Sequence, residues 1–185
     1  MVEKPKYYWD ACMWIALINR EANRYDACKH IIEQAQRGEV EIWTSAFTFA
    51  EVFKKKCSPV TSGLSSDDDQ AFEDYIEQEF VKVIQVDTDV GRGARRLLRA
   101  HPSIGKPQDA VHVASALIES VAILHTFDNA DLLGLDGQLK CQDGNLLKIQ
   151  RPAEPPDPDA GTMFEGMKTG DDKQDDGKKA KSVGT

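Results

Sequence analysis

Two spacings of apolar residues alternate along most of the chain. Short runs of consecutive apolar residues predict strands at residues 6–10, 40–44, 81–87 and 121–128. Between these runs, apolar residues recur at the spacing of amphipathic helices, at residues 12–22, 24–37, 45–56, 71–80, 89–100 and 107–120. Strands separated by helices predict an α/β fold with three layers, α/β/α, around a central parallel sheet.

Local signals predict where several of these elements begin and end. Ser45 is a predicted N-cap for the helix at 45–56, and Pro107 suits the first position of the helix at 107–120. Gly38 ends the second helix. The Pro, Gly and Ser content of residues 57–69 predicts a loop.

The periodic pattern stops near residue 150, which predicts one domain over residues 1–150. Residues 151–185 begin with a Pro-rich stretch and continue as a mixed run of acids and lysines without periodicity. Such a composition is typical of a disordered tail, because it offers too little apolar surface to form a core. Contact of this tail with a partner is the alternative.

Composition narrows the class of protein. Of 185 residues, 41% are hydrophobic and 29% charged, which is the profile of a globular domain. No apolar run approaches the roughly 18 residues of a membrane span, and no signal segment opens the chain, so we expect a cytoplasmic protein. The net charge of -8 argues against a strongly basic nucleic-acid surface. It does not exclude a nuclease, because acids that hold metal cations also make a chain acidic.

Four acids are candidates for a site. Three of them stand at predicted strand ends or helix starts: Asp10, Asp109 and Asp128. The fourth, Glu51, lies nearly two turns into the helix after the second predicted strand. Each has an ordinary structural explanation. Asp10 and Asp128 suit helix caps, Glu51 an ion pair one helical turn away, and Asp109 the positive end of a helix dipole.

The positions of these acids in the predicted fold favour a shared site. Ligands of open parallel sheets bind beyond the carboxyl ends of the strands, and Asp10 and Asp128 both follow predicted strands. Neighbouring carboxylates repel one another unless a cation lies between them. Oxygen ligands suit Mg²⁺ or Mn²⁺, which can activate water and stabilise charge on a phosphate.

Four segments of the chain resemble the PIN-domain ribonucleases, including the VapC-type toxins of bacterial toxin–antitoxin pairs. The resemblance covers about residues 6–150 and rests on YYWDACMWIALI, TSAFTFAEVF, KPQDAVHVASAL and ILHTFDNADLLGL. It lies in the order and spacing of one Asp, one Glu and two later acids. It therefore implies a PIN-like fold and cleavage of RNA with Mg²⁺ or Mn²⁺.

The resemblance also implies roles for individual residues and partners. The catalytic acids would be Asp10, Glu51, Asp109 and Asp128. The metal ligands would be Asp10, Asp109, Asp128 and Asp131. Thr126 would support a nearby carboxylate or phosphate, whereas Cys12 stands where family members often have a polar Ser, Thr or Asn. Family members often form homodimers, and the toxins are inhibited by a small antitoxin protein.

Two further features each leave alternatives open. The helix at 89–100 carries four arginines on one face, at positions that suit RNA phosphates or simply a solvated helix surface: Arg92, Arg95, Arg96 and Arg99. His112, one turn after Asp109, fits a packed core histidine better than a residue that orients a carboxylate or touches substrate.

Two other functions compete with metal-dependent RNA cleavage. Asp87 and Asp89 follow a predicted strand and look like the DxD motif of haloacid-dehalogenase-type phosphatases, in which the first Asp is the nucleophile. That motif leaves the other acids unexplained. Alternatively, the chain is a catalytically degenerate PIN scaffold that binds RNA or a protein without cutting.

Overall fold

The computed structural model describes residues 4–53 and 63–155. Contacts divide the chain into two units, Met1–Pro155 and Pro156–Thr185. The second unit, and with it most of the predicted tail, lies outside the described residues. No helix in the described ranges is long and apolar enough to cross a membrane.

The centre of the first unit is a sheet of five strands, all paired in parallel. Their bounds are Lys6–Trp9 (β1), Glu41–Ser45 (β2), Val81–Ile84 (β3), Ile123–His125 (β4) and Lys148–Gln150 (β5). The strand order is β3-β2-β1-β4-β5, so β1 lies in the middle between β2 and β4. The predicted parallel sheet is confirmed.

Helices cover both faces of this sheet. They are Ala11–Ile18 (α1), Tyr25–Gln36 (α2), Thr48–Glu51 (α3), Ser66–Ile76 (α4), Thr88–Ala100 (α5) and Pro107–Ile118 (α6). Neighbouring side chains of β1 point to opposite faces, because side chains alternate along a strand. Tyr8 packs in a core with α5 and α6, whereas Trp9 packs in a second core with α1, α2 and α4. The predicted three layers are therefore confirmed.

The third predicted helix is much shorter than expected. Ser45 is the last residue of β2, where it pairs with Ile84, and its Oγ accepts a hydrogen bond from the Phe47 N–H (3.1 Å). The prediction that Ser45 caps a helix is wrong, because pairing with β3 keeps it in the strand and α3 begins only at Thr48. Residues 54–62, which include the end of this predicted helix, lie outside the described residues.

The fourth helix begins earlier than predicted. It starts at Ser66, within the predicted loop, because Ser65 caps it by accepting a hydrogen bond from the Asp68 N–H (3.2 Å). Three acids in its first turn, residues 67–69, lie at the positive end of the helix dipole. Capping and charge thus form a helix where the polar composition predicted a loop.

The fifth strand was not predicted. Lys148–Gln150 has only three residues, too few for a periodic pattern, and it is stabilised by pairing with β4. Ile149 is buried against the same core as α5 and α6. The predicted strands at 81–87 and 121–128 are in turn too long, because the backbone leaves the sheet before Asp87 and Asp128.

Candidate active site

The carboxyl ends of β1, β2 and β4 define the candidate site. The chain runs outward from β1 to β2 and β3 on one side, and β4 and β5 lie on the other. A crevice forms where the strand order reverses, here between β1 and β4. Asp10 directly follows β1, and Thr126 directly follows β4.

Asp10 is held at this crevice by two hydrogen bonds. Its Oδ1 accepts from the Met13 N–H at 3.1 Å, so it caps α1, and its Oδ2 accepts from the Thr126 hydroxyl at 2.5 Å. The side chain is 4% exposed. Burial raises the pKa of Asp10 above its ordinary value, although nearby His112 and the Thr126 hydroxyl favour the ionised form. Asp10 is thus both a structural cap and an acid aimed into the site.

Three further acids converge beside Asp10. Asp109 lies in the first turn of α6, and Asp128 and Asp131 lie in the loop after β4. One carboxylate oxygen from each lies within 4.8 Å of the others, close enough for one metal ion to contact all three. We call Asp109, Asp128 and Asp131 the acid cluster.

The loop after β4 is shaped to present its two acids. Oδ1 of Asp128 accepts hydrogen bonds from the backbone N–H groups of Ala130 (2.9 Å) and Asp131 (3.2 Å). The Thr126 hydroxyl also accepts from the Asp128 N–H (2.9 Å). Burial opposes ionisation of Asp128, but these backbone bonds and Lys106 hold its pKa below the ordinary value.

Asp109 is in a less favourable environment for a carboxylate. Burial, together with the charges of Asp128 and Asp10, raises the pKa of Asp109 to about 6, although Lys106 opposes the shift. Its Oδ2 atom is buried and accepts no hydrogen bond. Such an oxygen fits a metal ligand, because a cation would satisfy it and relieve the repulsion between the acids.

Lys106, which sequence analysis did not single out, lies among the acid cluster. Its Nζ is 2.8 Å from Asp131 Oδ2, 3.2 Å from Asp128 Oδ2 and 3.6 Å from Asp109 Oδ2. These contacts raise the pKa of Lys106, the hydrogen bond to Asp131 having the largest effect. One signal was available in the sequence: a cation just before a helix N-terminus, which the helix dipole disfavours.

Glu51 reaches the site by a different route. Its Oε2 lies 2.6 Å from His112 Nε2, and His112 Nδ1 lies 2.8 Å from the Tyr8 hydroxyl. With Glu51 ionised, Nε2–H donates to the carboxylate, and Nδ1 accepts from Tyr8. His112 is 2% exposed and satisfied, so the predicted packed histidine is confirmed. It also orients Glu51, the role that sequence analysis ranked second.

The predicted acids therefore divide into a cluster and two neighbours. Within the described residues, the group that can share one ion contains Asp109, Asp128 and Asp131. Asp10 joins it through the Thr126 hydroxyl, and Glu51 is close enough to raise the pKa of Asp10.

Comparison with known proteins identifies the fold. The profile of the PIN domain matches residues 7–133, which is more than half of the chain. The chain belongs to the PIN domain family. PIN domains form a family of ribonucleases that use divalent metals. No curated protein matches this PIN domain by sequence.

Three solved structures share the PIN fold with this chain. The Mycobacterium tuberculosis toxin VapC20, which cleaves the sarcin–ricin loop, matches with 18% identity and a TM-score of 0.52 over 66% of this chain and 89% of its own. A toxin–antitoxin complex from Klebsiella pneumoniae matches with 18% identity and a TM-score of 0.54, over 80% of this chain and 99% of its own. DNA-bound VapBC from Salmonella typhimurium matches with 16% identity and a TM-score of 0.50, over 78% of this chain and 98% of its own. At these identities the likeness shows the fold alone.

A groove of about 1590 Å³ extends from Asp128 and Cys12 on the surface of this PIN domain. It is lined by residues of α1, α2 and α4 and of the loop after β4, and by residues near 151. Its basic and aromatic lining residues are Arg20, Arg24, Tyr25, Tyr75, Phe127 and Arg151. Sequence analysis did not find this set, because its members are scattered along the chain.

Two of the groove arginines are oriented by neighbours. The guanidinium of Arg24 lies 4.8 Å from the centre of the Phe127 ring and pairs with Glu21 at 2.9 Å. The guanidinium of Arg151 donates twice to Asn129 Oδ1, at 2.6 and 3.2 Å. They contact residues on either side of Asp128 in the sequence.

The predicted arginine stripe lies elsewhere. Arg92, Arg95, Arg96 and Arg99 are all exposed on α5. Arg92 pairs with Asp89 at 3.3 Å, and none of the four lines the groove. The stripe is thus a solvent-exposed helix face, and RNA contact there stays a prediction.

Asp87, the residue of the phosphatase alternative, caps α5. Its Oδ1 accepts hydrogen bonds from the backbone N–H groups of Asp89 (2.9 Å) and Val90 (3.0 Å). Asp87 follows β3, which is an edge strand, whereas the candidate site lies at the three central strands. Capping accounts for an acid at this position.

Proposed function

We propose that this PIN domain is a metal-dependent ribonuclease that hydrolyses RNA phosphodiester bonds. The observation that carries the proposal is the acid cluster, set at the strand-order reversal of a PIN fold, in which a buried Asp109 oxygen accepts no hydrogen bond. The catalytic acids proposed are Asp10, Glu51, Asp109 and Asp128.

The proposed metal is Mg²⁺ or Mn²⁺, since every donor in the site is a carboxylate oxygen. The ligands would be Asp10, Asp109, Asp128 and Asp131. A bound ion supplies an acidified water and neutralises charge on the phosphate. Thr126 is proposed as a supporting residue, because its hydroxyl donates a hydrogen bond to Asp10 Oδ2.

Glu51 is proposed to accept a proton from the attacking water. One carboxylate oxygen is held by His112 at 2.6 Å, and the side chain is 23% exposed, so solvent reaches it. His112 is itself fixed by Tyr8, which is fully buried in the centre of the sheet. These contacts hold the proposed base, Glu51, in position, so no titratable group at the surface is needed to orient it.

The groove is the proposed path of the RNA. It opens next to Asp128, and Phe127 and Asn129 orient Arg24 and Arg151 along its wall. The wall also carries acids, among them Glu21, which pairs with Arg24. Arginines bind phosphates, whereas aromatic side chains such as Phe127 offer a surface on which a base can stack.

A small antitoxin protein is a proposed partner. Two of the solved structures that share the fold are toxin–antitoxin complexes. A homodimer is proposed on the family resemblance. Both proposals would be tested by co-expression with a candidate antitoxin and by sedimentation of the purified chain.

RNA cleavage in the presence and absence of metal tests the proposed function. Wild type and an Asp10→Asn/Asp109→Asn variant would be incubated with a mixture that includes intact tRNA and rRNA, under Mg²⁺, Mn²⁺ or EDTA. We expect cleavage by wild type that needs metal and falls at least about 100-fold in the variant, as for loss of central catalytic groups. The matched control, Asp69→Asn/Asp74→Asn, changes two exposed acids of α4 and should cleave like wild type.

Two outcomes would contradict the proposal. Cleavage that persists in the Asp10→Asn/Asp109→Asn variant would indicate a contaminating nuclease. Binding of RNA without cleavage under either metal would favour a catalytically degenerate scaffold. One observation already favours that second candidate, since the Lys106 ammonium lies where the acid cluster would hold a cation.

A further inference from the structure

Lys106 makes more contacts than a surface lysine usually does. An exposed lysine paired with one acid contributes little, because both side chains are mobile and water screens the charges. The Lys106 ammonium instead has three carboxylates within 3.6 Å, from the first turn of α6 and from the loop after β4. Because these three acids come from two separate segments of the chain, the fold itself brings the charges together.

The backbone around Lys106 lies close to the acid cluster, although the Lys106 side chain itself is 54% exposed. Lys106 precedes Pro107, which disfavours helical geometry in the residue before it, and Lys106 is extended with φ -125° and ψ 136°. Gly105 approaches Asp131 so closely that an added Cβ would lie 3.4 Å from Asp131 Oδ1. The segment before α6 is therefore packed against the loop that carries two of the acids.

The helix itself does not explain a lysine at this position. Lys106 is the N-cap of α6 but forms no side-chain cap hydrogen bond, and the positive end of a helix dipole repels a cation. The favourable partners of the ammonium are the carboxylates. Its hydrogen bonds to the Oδ2 atoms of Asp128 and Asp131 use the same kind of oxygen that a divalent ion would use.

We propose that the Lys106 ammonium takes the place of one divalent cation in the acid cluster. Ionised, the three carboxylates carry three negative charges, of which the ammonium offsets one. Lys106 donates hydrogen bonds to Asp128 and Asp131 and lies 3.6 Å from Asp109 Oδ2, so it contacts every carboxylate of the acid cluster. A divalent ion that binds the wild-type acid cluster must therefore share these carboxylates with the ammonium.

This inference rests on the proposed function, because it concerns the metal ions of the same site. Its distinctive consequence is a number of bound ions rather than a rate. Removing the ammonium frees the three carboxylates of the acid cluster from this contact and should create one more position for metal. A substitution that keeps the positive charge, such as Lys106→Arg, should not create this additional position.

Counting bound Mn²⁺ tests the inference without any RNA. Calorimetry and the electron paramagnetic resonance signal of free Mn²⁺ would give the number of ions per chain for wild type, Lys106→Met, Lys106→Gln and Lys106→Arg. We expect Lys106→Met and Lys106→Gln each to bind one more Mn²⁺ per chain than wild type. Lys106→Arg should bind the wild-type number, because the guanidinium keeps the charge.

A general change in charge is controlled by Arg151→Gln. It removes one positive charge from the groove next to the site, but the Arg151 guanidinium bonds to the neutral Asn129 amide. Arg151→Gln should therefore bind the wild-type number of ions. Unchanged circular dichroism and melting of each variant would show that all are folded.

The possible counts separate this inference from the proposed function. One ion in wild type and two in the neutral Lys106 variants supports both. No ion in wild type and one in the variants supports the role of Lys106 but contradicts metal-dependent activity of the wild-type chain. Equal counts in wild type and both neutral variants, or an equal gain in Arg151→Gln, overturn the inference, and the cleavage assay then decides the proposed function alone.

Discussion

Burial controls the ionisation of Asp109. The fold places this side chain beside Asp128 and Asp10 and leaves one of its oxygens without a hydrogen bond. Its pKa in the folded protein is about 6, above the ordinary value of 3.8. Folding therefore favours the protonated form, so the contribution of Asp109 to stability is fully present below about pH 4 and is lost as pH rises through about 6.

An Asp109→Asn variant should remove this loss. In EDTA, we expect its free energy of unfolding to be close to that of wild type at pH 4 and greater by about 1 to 3 kcal/mol at pH 7.5, from the shift of about two pKa units. Urea unfolding at both values of pH measures the difference. Asp74→Asn, an exposed change on α4, is the control, and a difference for Asp109→Asn that does not grow with pH would contradict the account.

Sequence patterns predicted the acids better than their partners. Asp10 and Asp128 could be predicted because each follows a strand, and parallel strands bring their carboxyl ends together. The Thr126 hydroxyl bond to Asp10 spans 116 positions, and the Glu51–His112 contact spans 61. The family resemblance implied that Thr126 supports a carboxylate or a phosphate. Spacing along the chain does not show that its partner is Asp10, because such contacts depend on strand order and on helix packing.

At the scale of elements, polar capping residues decide where several helices begin. Asp10 caps α1, Ser65 caps α4 and Asp87 caps α5. The predicted element boundaries were wrong at such positions. At α4, for example, the cap and the acidic first turn lie in a stretch whose composition predicted a loop. The short β5 was missed because its stability comes from pairing with β4 rather than from its own three residues.

Substitutions of Asp87, the cap of α5, distinguish the phosphatase alternative from the proposed nuclease. Asp87→Ala should lower the free energy of unfolding by about 1 kcal/mol, since two backbone N–H groups lose their acceptor. Asp87→Ser should keep most of this stability, because serine also caps helices. Thermal melting measures these changes in stability. In the cleavage assay, we expect both variants to cleave RNA like wild type. A phosphatase activity that both substitutions abolish would instead support Asp87 as a nucleophile.

At the scale of the whole molecule, net charge is a poor guide to where a polyanion binds. The chain carries a formal charge of -8, yet it presents two separate sets of arginines. One is the exposed stripe on α5, and the other lines the groove that opens at Asp128. We favour the groove because it is continuous with the candidate site.

The salt dependence of RNA binding distinguishes these two surfaces. In the Asp10→Asn/Asp109→Asn background, which prevents cleavage, Arg24→Gln/Arg151→Gln should weaken binding and reduce the slope of log affinity against log salt by about 2, or about 1 per phosphate contact. Arg92→Gln/Arg95→Gln removes the same charge from the stripe and should leave the slope unchanged. The reverse result would assign RNA binding to α5. Fluorescence anisotropy with labelled RNA at several salt concentrations gives both slopes.

The central position of β1 has a consequence for the order in which a ribosome makes the chain. Asp10 is synthesised well before the segment around β4, which supplies the Thr126 hydroxyl that orients it and two acids of the cluster. A nascent chain that ends before this segment can form neither the β1–β4 pairing nor the complete set of acids. The candidate site is therefore assembled only after most of the domain has been translated, and a product that ends before β4 does not contain it.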